Sequence, residues 1–228
     1  MYKSIHESHT PIHKAIRGLI HMPSTPCKPS ILKATIWVAL GMTSLFSSWA
    51  MAAGVQVQVN DAGGKPLPDA VVFLESREAK AASKPFVGAE IAQSAKQFSP
   101  QVTVVPVGSA VQFPNRDTVR HHVYSFSPIK SFELKLYTGV AASPVVFDRP
   151  GIAVLGCNIH DNMSAWVVVV ETPYFARTAE TGRATVANVP AGSYRLRVWH
   201  TSLPVGAPAL DQALVVGAAE QTVRVALP

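Results

Sequence analysis

Cysteine is nearly absent from this 228-residue chain: there are two, Cys27 and Cys157. Once the first 52 residues are set aside, Met163 is the one methionine left, and histidine is reduced to His121, His122, His160 and His200. A single thiol past residue 52 excludes an internal disulfide framework there. Charge is scarce as well. Charged residues make up 15% of the chain, and the net charge of +6 is concentrated at the N-terminus, where residues 1–52 carry five basic side chains and one acidic. The remainder holds fifteen Lys and Arg against thirteen Asp and Glu, with no basic run and no interleaving of Arg with aromatics. Such a chain offers nucleic acid no electrostatic footprint. No helical period stands out past residue 52. Tandem repeats, low-complexity tracts, a Ser-His-Asp order and a phosphate-cradling Gly loop are also missing.

Apolar runs long enough to cross a bilayer are rare too. Residues 34–53 alone approach the ~20 residues a span needs. That run has the build of an export signal: Lys28 and Lys33 precede apolar residues 36–45, then come Ser47, Ser48 and Trp49, and Ala50-Met51-Ala52 gives a small-x-small cleavage pattern. Cleavage after Ala52 is the expectation, with an uncleaved anchor as the alternative and Met22 as an alternative start. The chain is therefore expected to be periplasmic or otherwise exported, with no stable membrane span after cleavage.

What is present is a succession of short Val-rich runs broken by Pro and Gly. Residues 55–60 alternate Val with Gln and Asn, residues 132–137 place Phe132, Leu134 and Leu136 on one face, and residues 192–198 alternate around Tyr194, Leu196 and Val198. Further strands are expected over 70–74, 102–105, 110–113, 122–126, 145–147, 152–155, 165–170 and 222–227, and a loop or linker over 76–85. Short strands at regular spacing with turn residues between them point to an all-β sandwich or barrel.

The few soft ligands are gathered. Cys157-Asn158-Ile159-His160-Asp161-Asn162-Met163 puts a thiol, an imidazole and a thioether on one expected loop, and His121-His122 stands upstream. A thiolate, two imidazoles and a weak axial thioether are the ligand set of a mononuclear electron-transfer copper site. Metal binding itself enforces the thiolate by displacing its proton. In an extended strand His121 and His122 face opposite ways, so one of the two, not both, is expected to join Cys157, His160 and Met163. The histidine is expected to reach the loop from across the sandwich, on a separate strand end. Asp117 and Asp161 read as loop or turn residues, Tyr124 and Trp166 as core aromatics, and His200 as an ordinary surface or core histidine.

These segments resemble the cupredoxins, the family of plastocyanin, pseudoazurin and amicyanin. Phe113-x-Asn115 followed by His121 is similar to that family's first-ligand segment. Gly151, six residues before Cys157, sits where the family often has Gly. The strand over 102–105, with Phe98, Pro100 and Gly108 around it, is similar to its early strands. More narrowly, Phe113-Pro-Asn-Arg-Asp, residues 121–126 and residues 156–161 resemble plastocyanin-like proteins associated with methylamine utilization. The resemblance covers residues 87–171. It implies a Greek-key β-sandwich with one type-1-like copper held by His121, Cys157 and His160, with Met163 axial. Two departures stand out: two residues separate His160 from Met163, as in amicyanins rather than plastocyanins, and His122 takes the place where many cupredoxins carry Asn.

The flanks resemble something else. Residues 59–74 are similar to the first half of a carboxypeptidase regulatory-like β-sandwich and residues 181–198 to its second half. The expected organisation is a signal peptide (1–52), an N-terminal β segment (53–86), a cupredoxin domain (87–171) and a C-terminal β segment (172–228). The flanks either form one split sandwich or belong to the cupredoxin sheets. The function expected is single-electron transfer between redox protein partners, without enzymatic activity. A non-redox binding or structural module, with an idle or copper-storage site, is the alternative.

Overall fold

The computed structural model describes residues 53–141 and 143–228; the expected signal peptide lies outside them. Two β-sandwiches share the chain. The first joins a five-stranded sheet in the order β6 (Val102–Pro106), β12 (Ser164–Val170), β11 (Gly151–Gly156), β8 (His121–Ser127), β9 (Lys130–Tyr137) to a three-stranded sheet of β10 (Val145–Phe147), β7 (Ser109–Gln112) and β3 (Ala89–Glu90). A small hairpin of β4 (Ala92–Ser94) and β5 (Gln97–Ser99) closes one end. The second sandwich has a four-stranded sheet, β13 (Phe175–Arg177), β2 (Val71–Glu75), β15 (Gly192–Trp199), β16 (Leu210–Val216), and a three-stranded sheet, β14 (Arg183–Val189), β1 (Ala53–Asn60), β17 (Gln221–Ala226). Residues 53–60 thus pair with strands from the C-terminal part of the chain and with none from residues 87–171.

Side-chain alternation explains how the layers stack. In β1 every second residue, Val55, Val57 and Val59, is buried, so this sheet has one apolar face. In β2 four consecutive residues are buried because both faces are covered: Val72 and Leu74 enter the core between the second sandwich's sheets, while Val71 and Phe73 face the first sandwich. The run 165–170 behaves the same way. Ala165, Val167 and Val169 enter the first sandwich's core, and Val168 and Val170 meet Val71, Phe73 and Trp199. Near-continuous apolar runs mark the two sheets that lie inside a four-layer stack.

The sequence expectation of an all-β chain holds, with one correction. Residues 77–82, read as loop, form the helix α1 (Arg77–Ala82), capped by the Ser76 hydroxyl, which accepts from the Ala79 backbone N–H at 3.0 Å. Six residues are too few to show a helical period, and only Ala79 is buried. Among the described residues no helix is long and apolar enough to cross a membrane.

Candidate metal centre

The register of the five-stranded sheet brings the soft ligands together. Strands β8 and β11 are antiparallel neighbours, with Tyr124 opposite Gly156. The start of β8, His121, therefore lies beside the loop that leaves β11 at Cys157 and enters β12 at Ser164. This corrects the expectation that the histidine arrives from across the sandwich: it comes from the adjacent strand of the same sheet. One ligand atom each from His121, Cys157 and His160 lies within 4.8 Å of the others. The Cys157 Sγ is 4.0 Å from His121 Nδ1, and the two imidazole rings are 5.0 Å apart between centroids. A sulfur and a nitrogen bound to one ion at about 2.3 and 2.0 Å can be no more than about 4.3 Å apart, so the first of these separations already suits a shared ion.

Burial fits the same chemistry. His121 is 0% exposed and Cys157 4%. His160 is half-buried, yet its Nδ1 is shut off from solvent and has no hydrogen-bond partner. Leaving such an atom unpaired costs about 1–3 kcal/mol, and a metal ion would relieve it. Met163, 1% exposed, lies in the same hydrophobic core as Cys157, and its backbone N–H closes a turn onto the His160 carbonyl at 3.0 Å. Gly151, which starts β11, has φ 133°, and a Cβ there would lie 2.7 Å from Ile129 Cγ2.

His122 does not join the cluster. Its Nε2 is 2.8 Å from Glu133 Oε1, and its ring packs at a tilt against Tyr124, with centroids 5.6 Å apart. Alternation holds along β8, as expected: His121 and Val123 face the core that holds Cys157, while His122 shares the other face with Tyr124 and Phe126. The extra residue between the pairs His121–Tyr137 and Val123–Leu134 belongs to β9. His121, His122 and Val123 are all buried because both faces of the strand are covered here. Asp161 is exposed, and His200 lies away in the second sandwich, bonded to Ser202 at 2.9 Å with its pKa lowered by burial. Trp166 packs on Trp199 at 6.4 Å.

One residue that sequence reading left as a turn does more. Asp117 places Oδ2 2.8 Å from His121 Nε2. Its carboxylate also accepts the backbone N–H groups of Ala95 at 2.7 Å and Lys96 at 2.9 Å. The Lys96 N–H, followed by His121 and the Ala95 N–H, draws its pKa below the usual carboxylate value, against the opposing effect of burial. Ala95 and Lys96 are the two turn residues of the β4–β5 hairpin, with φ 51° and 57°. That turn ordinarily takes Asn-Gly, and the left-handed conformation costs an L-residue roughly 1–2 kcal/mol. Behind Asp117, Asn115 accepts its N–H at 3.0 Å and donates to the carbonyls of Val119 and Tyr137. Tyr137 in turn hydrogen-bonds Gln93 at 2.6 Å and donates to the Phe113 carbonyl. Its pKa is pushed up to about 12, chiefly by burial. The spacing Asp117-x-x-x-His121 was a visible signal, but the hairpin that fixes it is remote in sequence.

No family model matches this chain, and no curated protein matches it. Among solved structures it is similar to a reduced amicyanin variant, at 21% identity over 43% of this chain and 98% of that one, with a TM-score of 0.34. It is similar to a purple cupredoxin from Nitrosopumilus maritimus at 24% identity over 36% of this chain and 99% of the other, with a TM-score of 0.29. A copper-containing nitrite reductase from Thermus scotoductus SA-01 gives 23% identity and a TM-score of 0.35 over 40% of this chain. This chain spans about a quarter of that enzyme, 26%.

Proposed function

We propose that this chain is an exported, mononuclear copper protein of the cupredoxin type that carries single electrons between redox proteins. The observation that carries the reading is the convergence of Cys157 Sγ, His121 Nδ1 and the unpartnered His160 Nδ1 in a largely buried site. Bound copper would supply a one-electron couple; the protein supplies its setting. Cys157 would bind as thiolate, His121 and His160 through neutral imidazole nitrogen, and Met163 as a soft axial thioether, a set that suits copper better than a hard cation. Adjacent strands of one hydrogen-bonded sheet hold the donors, so the site has little freedom to change shape when an electron arrives or leaves.

Beside the half-buried His160, Ile159 presents an apolar rim and is 48% exposed. We take this apolar rim as the place where a redox partner docks, and the sequence resemblance makes a methylamine-oxidising system the partner class to test first. The reading includes no enzymatic activity. Past residue 52 the two remaining histidines are otherwise engaged, His122 with Glu133 and His200 with Ser202. We also read residues 53–86 and 172–228 as one split, carboxypeptidase regulatory-like domain around the copper domain, a reading supported by the pairing of β1 with β14 and β17.

The test is visible and EPR spectroscopy of the copper-loaded protein beside Cys157→Ala. An intense thiolate-to-copper band, lost in the variant, is the expected result. Identical spectra from the two proteins overturn the reading.

A further inference from the structure

Asp117 lies 2.8 Å from His121 Nε2, on the side of the ring away from Cys157. We infer that Asp117 is a positioning residue for the metal centre: it fixes His121 as the Nε2–H tautomer, keeps the Nδ1 lone pair aimed at the shared site, and makes that imidazole a stronger donor to Cu(II) than to Cu(I). The inference rests on the copper reading above, but its first part concerns the metal-free protein as well.

Three observations carry it. A neutral imidazole has one N–H, and the nitrogen that keeps it is the one facing an acceptor. Here the facing acceptor is a carboxylate, while the other nitrogen faces a sulfur. The carboxylate is itself clamped, with Ala95 and Lys96 donating backbone N–H groups to its two oxygens and Asn115 holding its own N–H. The turn that delivers those two donors is built from non-glycine residues at positive φ, and backbone strain of this kind persists where the surroundings over-determine it. A hydrogen-bonded carboxylate behind a ligating histidine raises its basicity and orients its ring. Excess negative charge at that position favours the more positive ion, so it strengthens Cu(II) binding over Cu(I) and lowers the reduction potential.

The experiment compares wild type, Asp117→Asn, Asp117→Ala and Lys96→Gly at one fixed pH. Lys96→Gly keeps the N–H donor and relieves the positive φ, so it controls for disturbance of the hairpin. In metal-free protein, 15N NMR of the His121 ring should show a single Nε2–H tautomer in wild type and Lys96→Gly, and a mixture in Asp117→Ala. In copper-loaded protein, Asp117→Asn should bind Cu(II) about 10–100-fold more weakly with Cu(I) affinity less affected, so its potential rises while Lys96→Gly stays at the wild-type value. An unchanged His121 tautomer in Asp117→Ala, or unchanged Cu(II) affinity and potential in a folded Asp117→Asn, overturns the inference. Failure of the copper reading shows itself separately, as wild type without the thiolate-to-copper band, and leaves the metal-free measurement to decide on the clamp.

Discussion

At position 122 the side chain turns from the cluster to Glu133, and this divides two histidines that composition alone treats alike. His122→Asn should leave the thiolate-to-copper band intact and cost about 1–3 kcal/mol, since the ring is buried against Tyr124 although its partner Glu133 is half exposed. His121→Asn should abolish the band. Visible titration with copper, followed by denaturant unfolding, checks both. Alternation told that the pair face opposite ways, and β8 keeps it; what the sequence alone could not tell is which of the two faces meets Cys157. The proximity of Cys157 to His160 was easier to read, since both sit on one seven-residue connection. The contact of Asp117 with Ala95 and Lys96 was not legible, since about twenty residues and a separate hairpin intervene.

The elements themselves were largely visible wherever a strand buries alternate residues, as β1 and β15 do. In β9 Phe132 and Leu134 are half-buried, but Leu136, expected on their face, is 50% exposed because the extra residue falls between 134 and 137. Those missed are short or lie at a sheet edge. Strands β3, β4 and β5 have two or three residues each, and β16 is an edge strand with a weak alternation of half-buried and exposed side chains. One turn is sensitive to a single methyl group. Gly182, between β13 and β14, has φ 70°, and a Cβ there would lie 2.5 Å from the Val59 carbonyl oxygen of β1. In the same turn the Gly182 carbonyl accepts the Val59 N–H at 2.8 Å. Gly182→Ala combines a disfavoured backbone conformation with a clash against backbone that cannot rotate away. It should destabilise the second sandwich by about 1–3 kcal/mol or more, read as a lower midpoint in urea with an unchanged copper spectrum.

Across the whole described chain, one apolar layer fastens the two sandwiches: Val71, Phe73 and Trp199 from the second against Val102, Val168 and Val170 from the first. Trp199 is 4% exposed, and Trp199→Ala should cost about 3–5 kcal/mol. It should also separate the loss of the copper band from the loss of far-ultraviolet circular dichroism, two signals that coincide while the layer is intact. That layer joins bodies of very different contact order. The inner one closes over roughly eighty consecutive residues, from β3 to β12. The outer one cannot form its central strand ladder until β1 meets β17, with register partners Val55 and Gln221 at opposite ends of the described chain. Loop-closure entropy then sets an order of events, in which the nearer pairings come first and the distant one waits. The parallel ladder of β1 and β17 thus acts as a late clasp: the half that carries His121, Cys157 and His160 can close before the rest of the architecture exists.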